Sequence, residues 1–252
     1  MKRRPLIAGN WKMYNTGKEA IKTIKTLTSL LDNSEDIEIM IAPTFLALPL
    51  VSFEIQDEKI KLGAQNLHFE NQGAFTGEVS AKMIKEAGAK YVIIGHSERR
   101  QYFNETDIYV QKKINAAIRY DLKPILCVGE TEKQRDAKKT FSTLDKQIIK
   151  GLQNFDSKML EGLVIAYEPV WAIGTGKTAT TLIVDQVHQY LRSLLEKMFS
   201  KNFASKTRIL YGGSVKPENI KSLMALENVD GALVGGASLD PNTFIKIIKY
   251  KN

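Results

Sequence analysis

The sequence predicts an α/β protein: a single (β/α)8 barrel, with eight parallel strands ringed by helices and residues 1–252 forming one domain. Three observations predict it. Eight short apolar runs alternate with longer segments of helical spacing. The runs lack polar alternation, which marks strands buried on both faces, as in parallel sheets. No Gly/Ser-rich linker or shift in composition divides the 252 residues, a length that one such barrel fills. An open doubly wound sheet would carry G-x-G-x-x-G after its first strand, but here that run ends Ala8-Gly9-Asn10-Trp11. The strand–helix units differ in length, which argues against a short-repeat solenoid.

The first run is Leu6–Gly9, and Thr16 then caps a stripe of Ile21, Ile24, Leu27 and Leu31. The second, Ile37–Ala42, leads into the weakest helical pattern, interrupted by Pro49. Ile60–Ala64 is the third, and the segment Gln65–Ser80 after it has little regular pattern. Tyr91–Ile94 precedes a stripe of Val110, Ile114, Ala117 and Ile118. Pro124–Val128 precedes Leu144, Ile148 and Leu152, closed by Asn154. After Leu163–Tyr167, Thr180 opens a stripe of Ile183, Val187, Leu191, Leu194 and Met198. Arg208–Tyr211 and Ala232–Val234 complete the runs, and the last helix opens at Asp240-Pro241, a cap followed by proline at the first helical position.

Hydrophobic residues at 43% and charged residues at 25% exclude a disordered, collagen-like or disulfide-stapled chain. The lone Cys127 excludes an internal disulfide and a cysteine-rich zinc site, and reads as packing in a buried strand. His68, His96 and His188 show no ligand spacing, so no metal and no cofactor are expected. The net charge of +8 admits nucleic acid or an anionic surface as partner. Its lysines are spread as Lys22/Lys25, Lys82/Lys85, Lys112/Lys113 and Lys246/Lys249, which reads as a solvated outer surface with a general pull on small anions. After the basic start only Leu6, Ile7 and Ala8 form an apolar run, too short for a signal-peptide core. Ile39–Val51, the most apolar stretch, is broken by Pro43 and Pro49 and is too short to span a bilayer. The expectation is a cytoplasmic protein that requires neither nucleic acid nor membrane.

In such a barrel reactive groups sit where strands end. Asn10-Trp11-Lys12 follows the first run, Gly95-His96-Ser97-Glu98 the fourth, Glu168-Pro169 the sixth, Gly212-Gly213-Ser214 the seventh and Gly235-Gly236 the eighth. Each alone has a bland reading as a surface lysine, a satisfied histidine, a capping carboxylate or a tight turn. Their convergence on one rim argues for chemistry. Glycine lets backbone N–H groups approach an anion, and the loops after strands seven and eight are the usual phosphate position of this fold. Two motif matches fail. Gly176-Lys177-Thr178 lacks the earlier glycine of a nucleotide P-loop, with Trp171 in its place. Gly95-His96-Ser97-Glu98-Arg99 lacks the closing glycine of a nucleophile elbow.

At these residues the chain resembles the triosephosphate isomerase family of TIM barrels. The likeness rests on Ala8-Gly9-Asn10-Trp11-Lys12-Met13, Gln65-Asn66, Gly73-Ala74-Phe75-Thr76-Gly77-Glu78, Ile94 to Arg100, Ala166 to Lys177, Tyr211-Gly212-Gly213-Ser214-Val215 and Gly235-Gly236-Ala237-Ser238. The resemblance implies interconversion of dihydroxyacetone phosphate and D-glyceraldehyde 3-phosphate through an enediolate, in glycolysis and gluconeogenesis. It implies Glu168 as the base, His96 as the neutral electrophile and Lys12 as the cation beside enediolate and phosphate. Asn10 hydrogen-bonds nearby, and Glu98 supports the group. Gly174, Ser214, Gly235 and Gly236 match the phosphate-binding backbone and Pro169–Lys177 the lid. The resemblance further implies an Arg192–Asp230 salt bridge and a homodimer in which the loop Gln65–Ser80 inserts into its partner.

Those residue types suit the chemistry without the likeness. A carboxylate serves as base if a water-poor site raises its proton affinity. Imidazole polarises a carbonyl while neutral if a helix start disfavours its charged form. Two departures stand out: Asn104 replaces a usual glycine and Thr181 a frequent proline, neither at a reactive group. A different barrel enzyme on a phosphorylated sugar would use the same glycine turns, and a barrel turned binding protein would use the charge. The complete Lys12, His96 and Glu168 set disfavours both.

Overall fold

The computed structural model describes residues 3–31, 36–55, 59–174 and 176–251. Its strands are β1 (Leu6–Asn10), β2 (Glu38–Ala42), β3 (Ile60–Ala64), β4 (Tyr91–Ile94), β5 (Lys123–Val128), β6 (Val164–Tyr167), β7 (Arg208–Tyr211) and β8 (Gly231–Val234). They pair in chain order, all parallel, and β8 closes on β1 with Leu6 opposite Gly231. This is the (β/α)8 TIM barrel. The helices are α1 (Gly17–Leu30), α2 (Leu48–Glu54), α3 (Ala81–Glu86), α4 (Ser97–Tyr102), α5 (Asp107–Arg119), α6 (Glu132–Asp136), α7 (Thr140–Gly151), α8 (Thr181–Met198), α9 (Lys201–Lys206), α10 (Pro217–Met224) and α11 (Pro241–Ile248).

Two cores explain why the strand runs are apolar on both faces. Leu6, Ala8, Met40, Ile93, Val164 and Leu210 fill the barrel interior. Their sequence neighbours, such as Ile7, Ile41, Val92 and Ile165, pack outward against the helical stripes, including Ile24, Ile114 and Leu191. Pro49 does not break α2 but falls in its first turn, where no N–H is needed. Asn104 takes φ 51, the left-handed geometry that asparagine tolerates. Thr180 caps α8 by accepting from the Ile183 N–H, so a proline at Thr181 is not needed to start it. Lys113 departs from the solvated reading: it is buried and bonds Glu105 at 2.5 Å and Asn66 at 2.7 Å.

Charged groups brace the barrel end opposite the site. Arg208 donates to Glu38 at 2.6 Å and to Tyr91 Oη at 2.8 Å, and the Tyr91 hydroxyl donates to Glu38 at 2.7 Å. Arg192 and Asp230 pair at 2.6 Å, and Asp230 also accepts from the Ile209 N–H at 2.9 Å. No helix among the described residues is long and apolar enough to cross a membrane.

Candidate active site

At the end of β1 the chain turns through Lys12, whose φ of 51 is an uncommon backbone conformation for a lysine. Two side chains hold it there. Asn10 Oδ1 accepts from the Lys12 N–H at 3.0 Å. Gln65, the first residue after β3, donates from Nε2 to the carbonyls of Lys12 (2.7 Å) and Ala42 (2.9 Å), so it ties together the ends of β1, β2 and β3. Lys12 Nζ lies 2.5 Å from Glu98 Oε1.

β4 delivers His96 as the cap of α4. Its Nδ1 accepts from the Glu98 N–H at 3.3 Å, which leaves Nε2 to carry the proton of the neutral ring. Nε2 lies 2.9 Å from Glu168 Oε1. Glu168 follows β6 directly, is buried, and accepts from the Ser97 N–H at 2.9 Å. Its room is made by glycines. A Cβ on Gly129 would lie 1.7 Å from the Glu168 carbonyl oxygen, and one on Gly212 would lie 2.9 Å from Glu168 Cγ.

Burial opposes charge on both partners, but their contact outweighs it. The Glu168 carboxyl is held below its ordinary value by His96, the Ser97 N–H and Lys12 against its burial. Burial likewise lowers the proton affinity of His96, yet the Glu168 carboxylate beside it leaves the imidazole above its ordinary value. Burial alone would shift both groups the other way; the contact between them, which residue order does not supply, decides the directions. Burial and the nearby Glu168 push the Cys127 thiol well up, so it stays protonated and serves as packing.

Asn10, Lys12, His96, Glu168, Gly174, Ser214, Gly235 and Gly236 line one cavity of about 270 Å³. Glu98 lies behind Lys12 and lines a larger adjoining cleft of about 980 Å³. The smaller cavity sets a carboxylate, an imidazole and an ammonium against glycine turns able to receive an anion.

From Pro169 the chain runs over this cavity, with Val170–Ala172 a turn of 3-10 helix. Thr175, inside the expected lid Pro169–Lys177, lies outside the described residues. The segment is anchored through Glu130, which the sequence reading missed. This buried carboxylate accepts from Trp171 Nε1 at 2.9 Å and from the Tyr167 hydroxyl at 3.2 Å, while Arg135 stacks 4.5 Å above the Trp171 ring. Lys177 pairs with Glu132. Glu130 stands just after β5, so inspecting every strand end would have found it, and Gln65 after β3 as well.

Comparison with known proteins extends over nearly the whole chain. The family model described as triosephosphate isomerase matches residues 5–251. A triosephosphate isomerase of Carboxydothermus hydrogenoformans is 51% identical over 247 residues, 98% of either chain. One of Syntrophotalea carbinolica is 49% identical over 249 residues, 99% of either chain. One of Clostridium botulinum is 50% identical over 248 residues, covering 98% of this chain and 100% of the other.

Proposed function

Since the chain belongs to the triosephosphate isomerase family, we propose a role for each group in its cavity. The reaction is the interconversion of dihydroxyacetone phosphate and D-glyceraldehyde 3-phosphate, a step of glycolysis. The N–H groups of Gly174, Ser214, Gly235 and Gly236 receive the phosphate, and Lys12 adds a positive charge beside it. The substrate carbonyl oxygen accepts from His96 Nε2 in place of Glu168. Glu168 then loses the partner that holds its proton affinity down, while its burial remains, and its basicity rises. It removes the proton from the carbon next to the carbonyl, and the electron pair moves onto the oxygen as an enediolate. His96 and Lys12 stabilise that charge. His96 carries a proton between the two oxygens, and Glu168 returns its proton to the neighbouring carbon. The roles use no metal and no redox group.

The observation that carries this reading is the 2.9 Å contact of His96 Nε2 with Glu168, in the cavity that also holds Lys12 and the glycine turns. A coupled assay with chelator present tests it. Glu168→Gln is expected to lower turnover by at least about 10³-fold, within the range that a lost general base costs. A folded Glu168→Gln protein with near-normal turnover overturns the assignment.

The same reading includes a homodimer through Gln65–Ser80. It is supported by apolar side chains on neighbouring loops at the same barrel end: Met13 (92% exposed), Leu46 (89%) and Phe75 (44%). The loop is internally braced by His68 N–H donating to the Val79 carbonyl at 2.7 Å and by ring contacts of His68 with Phe69 and Phe75. Thr76 would then stand beside the partner's cavity. The reading also places the enzyme in the cytoplasm, with its phosphorylated triose.

A further inference from the structure

We propose that Lys216 captures the substrate phosphate electrostatically and sets how fast the dianion reaches the cavity, an inference that rests on the reading of the cavity given above. The argument is one of charge. The titratable residues lining the cavity are Lys12, His96, Glu168 and Lys216. Lys12 lies 2.5 Å from the Glu98 carboxylate, which answers its charge. His96 is paired with the Glu168 carboxylate at 2.9 Å, so the two together carry no surplus positive charge. Without Lys216, therefore, Lys12 is answered by Glu98 and His96 by Glu168, and no surplus positive charge is left to draw in a ligand that is itself a dianion.

The glycine turns do not remove this difficulty. Their N–H groups are dipoles, whose field falls off faster than that of a full charge, so they hold a phosphate that has arrived but pull weakly on one still in solvent. Lys216 supplies the missing charge. It is exposed, two residues beyond Ser214, and makes no ion pair among the described residues. Its backbone position is set. Asn219 Oδ1 accepts from the Lys216 N–H at 2.8 Å, and Asn219 Nδ2 donates to the Ser214 carbonyl at 3.0 Å, so one side chain fixes both ends of the turn. A hydrated ammonium on a flexible stem suits attraction at a distance better than a fixed bidentate contact.

The test is a charge series at this position, Lys216→Arg, Lys216→Gln and Lys216→Glu, assayed in both directions across ionic strength. Inorganic phosphate serves as a competitive probe. At low ionic strength Lys216→Gln is expected to lower kcat/KM roughly fivefold, and Lys216→Glu further, through KM rather than kcat. Lys216→Arg is expected to retain the parent value. Phosphate inhibition should weaken by the same factors, and the differences should close toward 1 M salt, where the screening length is about 3 Å. Parent-like kcat/KM in Lys216→Gln at low ionic strength overturns the proposal. So does a loss of equal size at every salt concentration, or a loss confined to kcat, since either marks a structural effect. Glu168→Gln, run beside the series, separates the two readings. If it is inactive while the Lys216 series is flat, only the capture role falls; if it is active, the roles given to the cavity fall.

Discussion

Lys12 and Gln65 show how a reactive residue is held in a backbone geometry it does not prefer. The Lys12 carbonyl is satisfied by Gln65, not by the barrel ladder. Gln65→Leu keeps the bulk but leaves the Lys12 carbonyl unpaired, a loss of about 1–3 kcal/mol if no water replaces the donor, while the Ala42 carbonyl keeps the Trp11 N–H at 3.1 Å. The expected outcome is a lower denaturation midpoint together with a fall in kcat/KM, because Lys12 loses its brace. An unchanged kcat/KM would show that Asn10 positions Lys12 alone. His188 is the other telling residue. It is fully buried, Nδ1 lies 3.0 Å from the Asn228 carbonyl, Nε2 has no partner among the described residues, and burial pushes its pKa down to about 4. A histidine depressed in the folded state binds its proton first in the unfolded chain. Its stabilising contribution is therefore complete above the ordinary value of 6.5 and is lost as pH falls toward 4. The full loss is about 3 kcal/mol. Urea unfolding across that window should show the slope, and His188→Gln should flatten it. An equal slope in both proteins would place the acid sensitivity elsewhere.

Among the elements, the segment after Pro169 is the one proposed to act on the chemistry through its contacts. Its first half is fixed: Trp171 hydrogen-bonds Glu130, and the Val170 N–H donates to the Glu130 carbonyl at 3.1 Å. Gly174 follows with φ 68 and lines the cavity. A stiff start followed by glycine suits a lid that moves as a unit on short hinges. Closed, its apolar Ile173 would exclude water and hold the enediolate phosphate in a geometry that resists elimination. Deleting Ile173 and Gly174 is expected to lower turnover and to raise the fraction of substrate lost as methylglyoxal and free phosphate. Both products can be followed in one reaction. A slower isomerisation with the same methylglyoxal fraction would reduce the segment to a binding loop.

For the whole molecule, the barrel separates stability from chemistry. The Arg208, Glu38 and Tyr91 cluster braces one end, and the cavity occupies the other, where strand ends deliver side chains from distant parts of the chain. The exposed Met13, Leu46 and Phe75 lie on loops of the cavity end, where the proposed dimer would tie assembly to activity. Analytical ultracentrifugation is expected to show a homodimer at micromolar concentration. Phe75→Glu should give a monomer with reduced turnover, since the loop Gln65–Ser80 would then no longer brace its partner. A fully active monomer would contradict this.

The barrel and most of its rim were legible in the residue order because the relevant physics is local. Strands buried on both faces must be apolar throughout, helices must carry one apolar stripe, and strand ends are where side chains leave the core. Hence Asn10, Lys12, His96 and Glu168 were identifiable as a set, and so were the turns at Gly212 and Gly235. Pro49 was ambiguous in sequence because a proline breaks a helix interior but suits a first turn, and only the helix start decides which applies. The contacts between elements belong to the tertiary structure. The 2.9 Å approach of His96 to Glu168 reverses the directions expected from burial alone, Glu130 joins β5 to Trp171, and Gln65 reaches the strained Lys12. Each depends on distance between residues far apart in the chain. Charge and hydrogen bonding act over a few ångströms of space, and sequence order does not supply that distance.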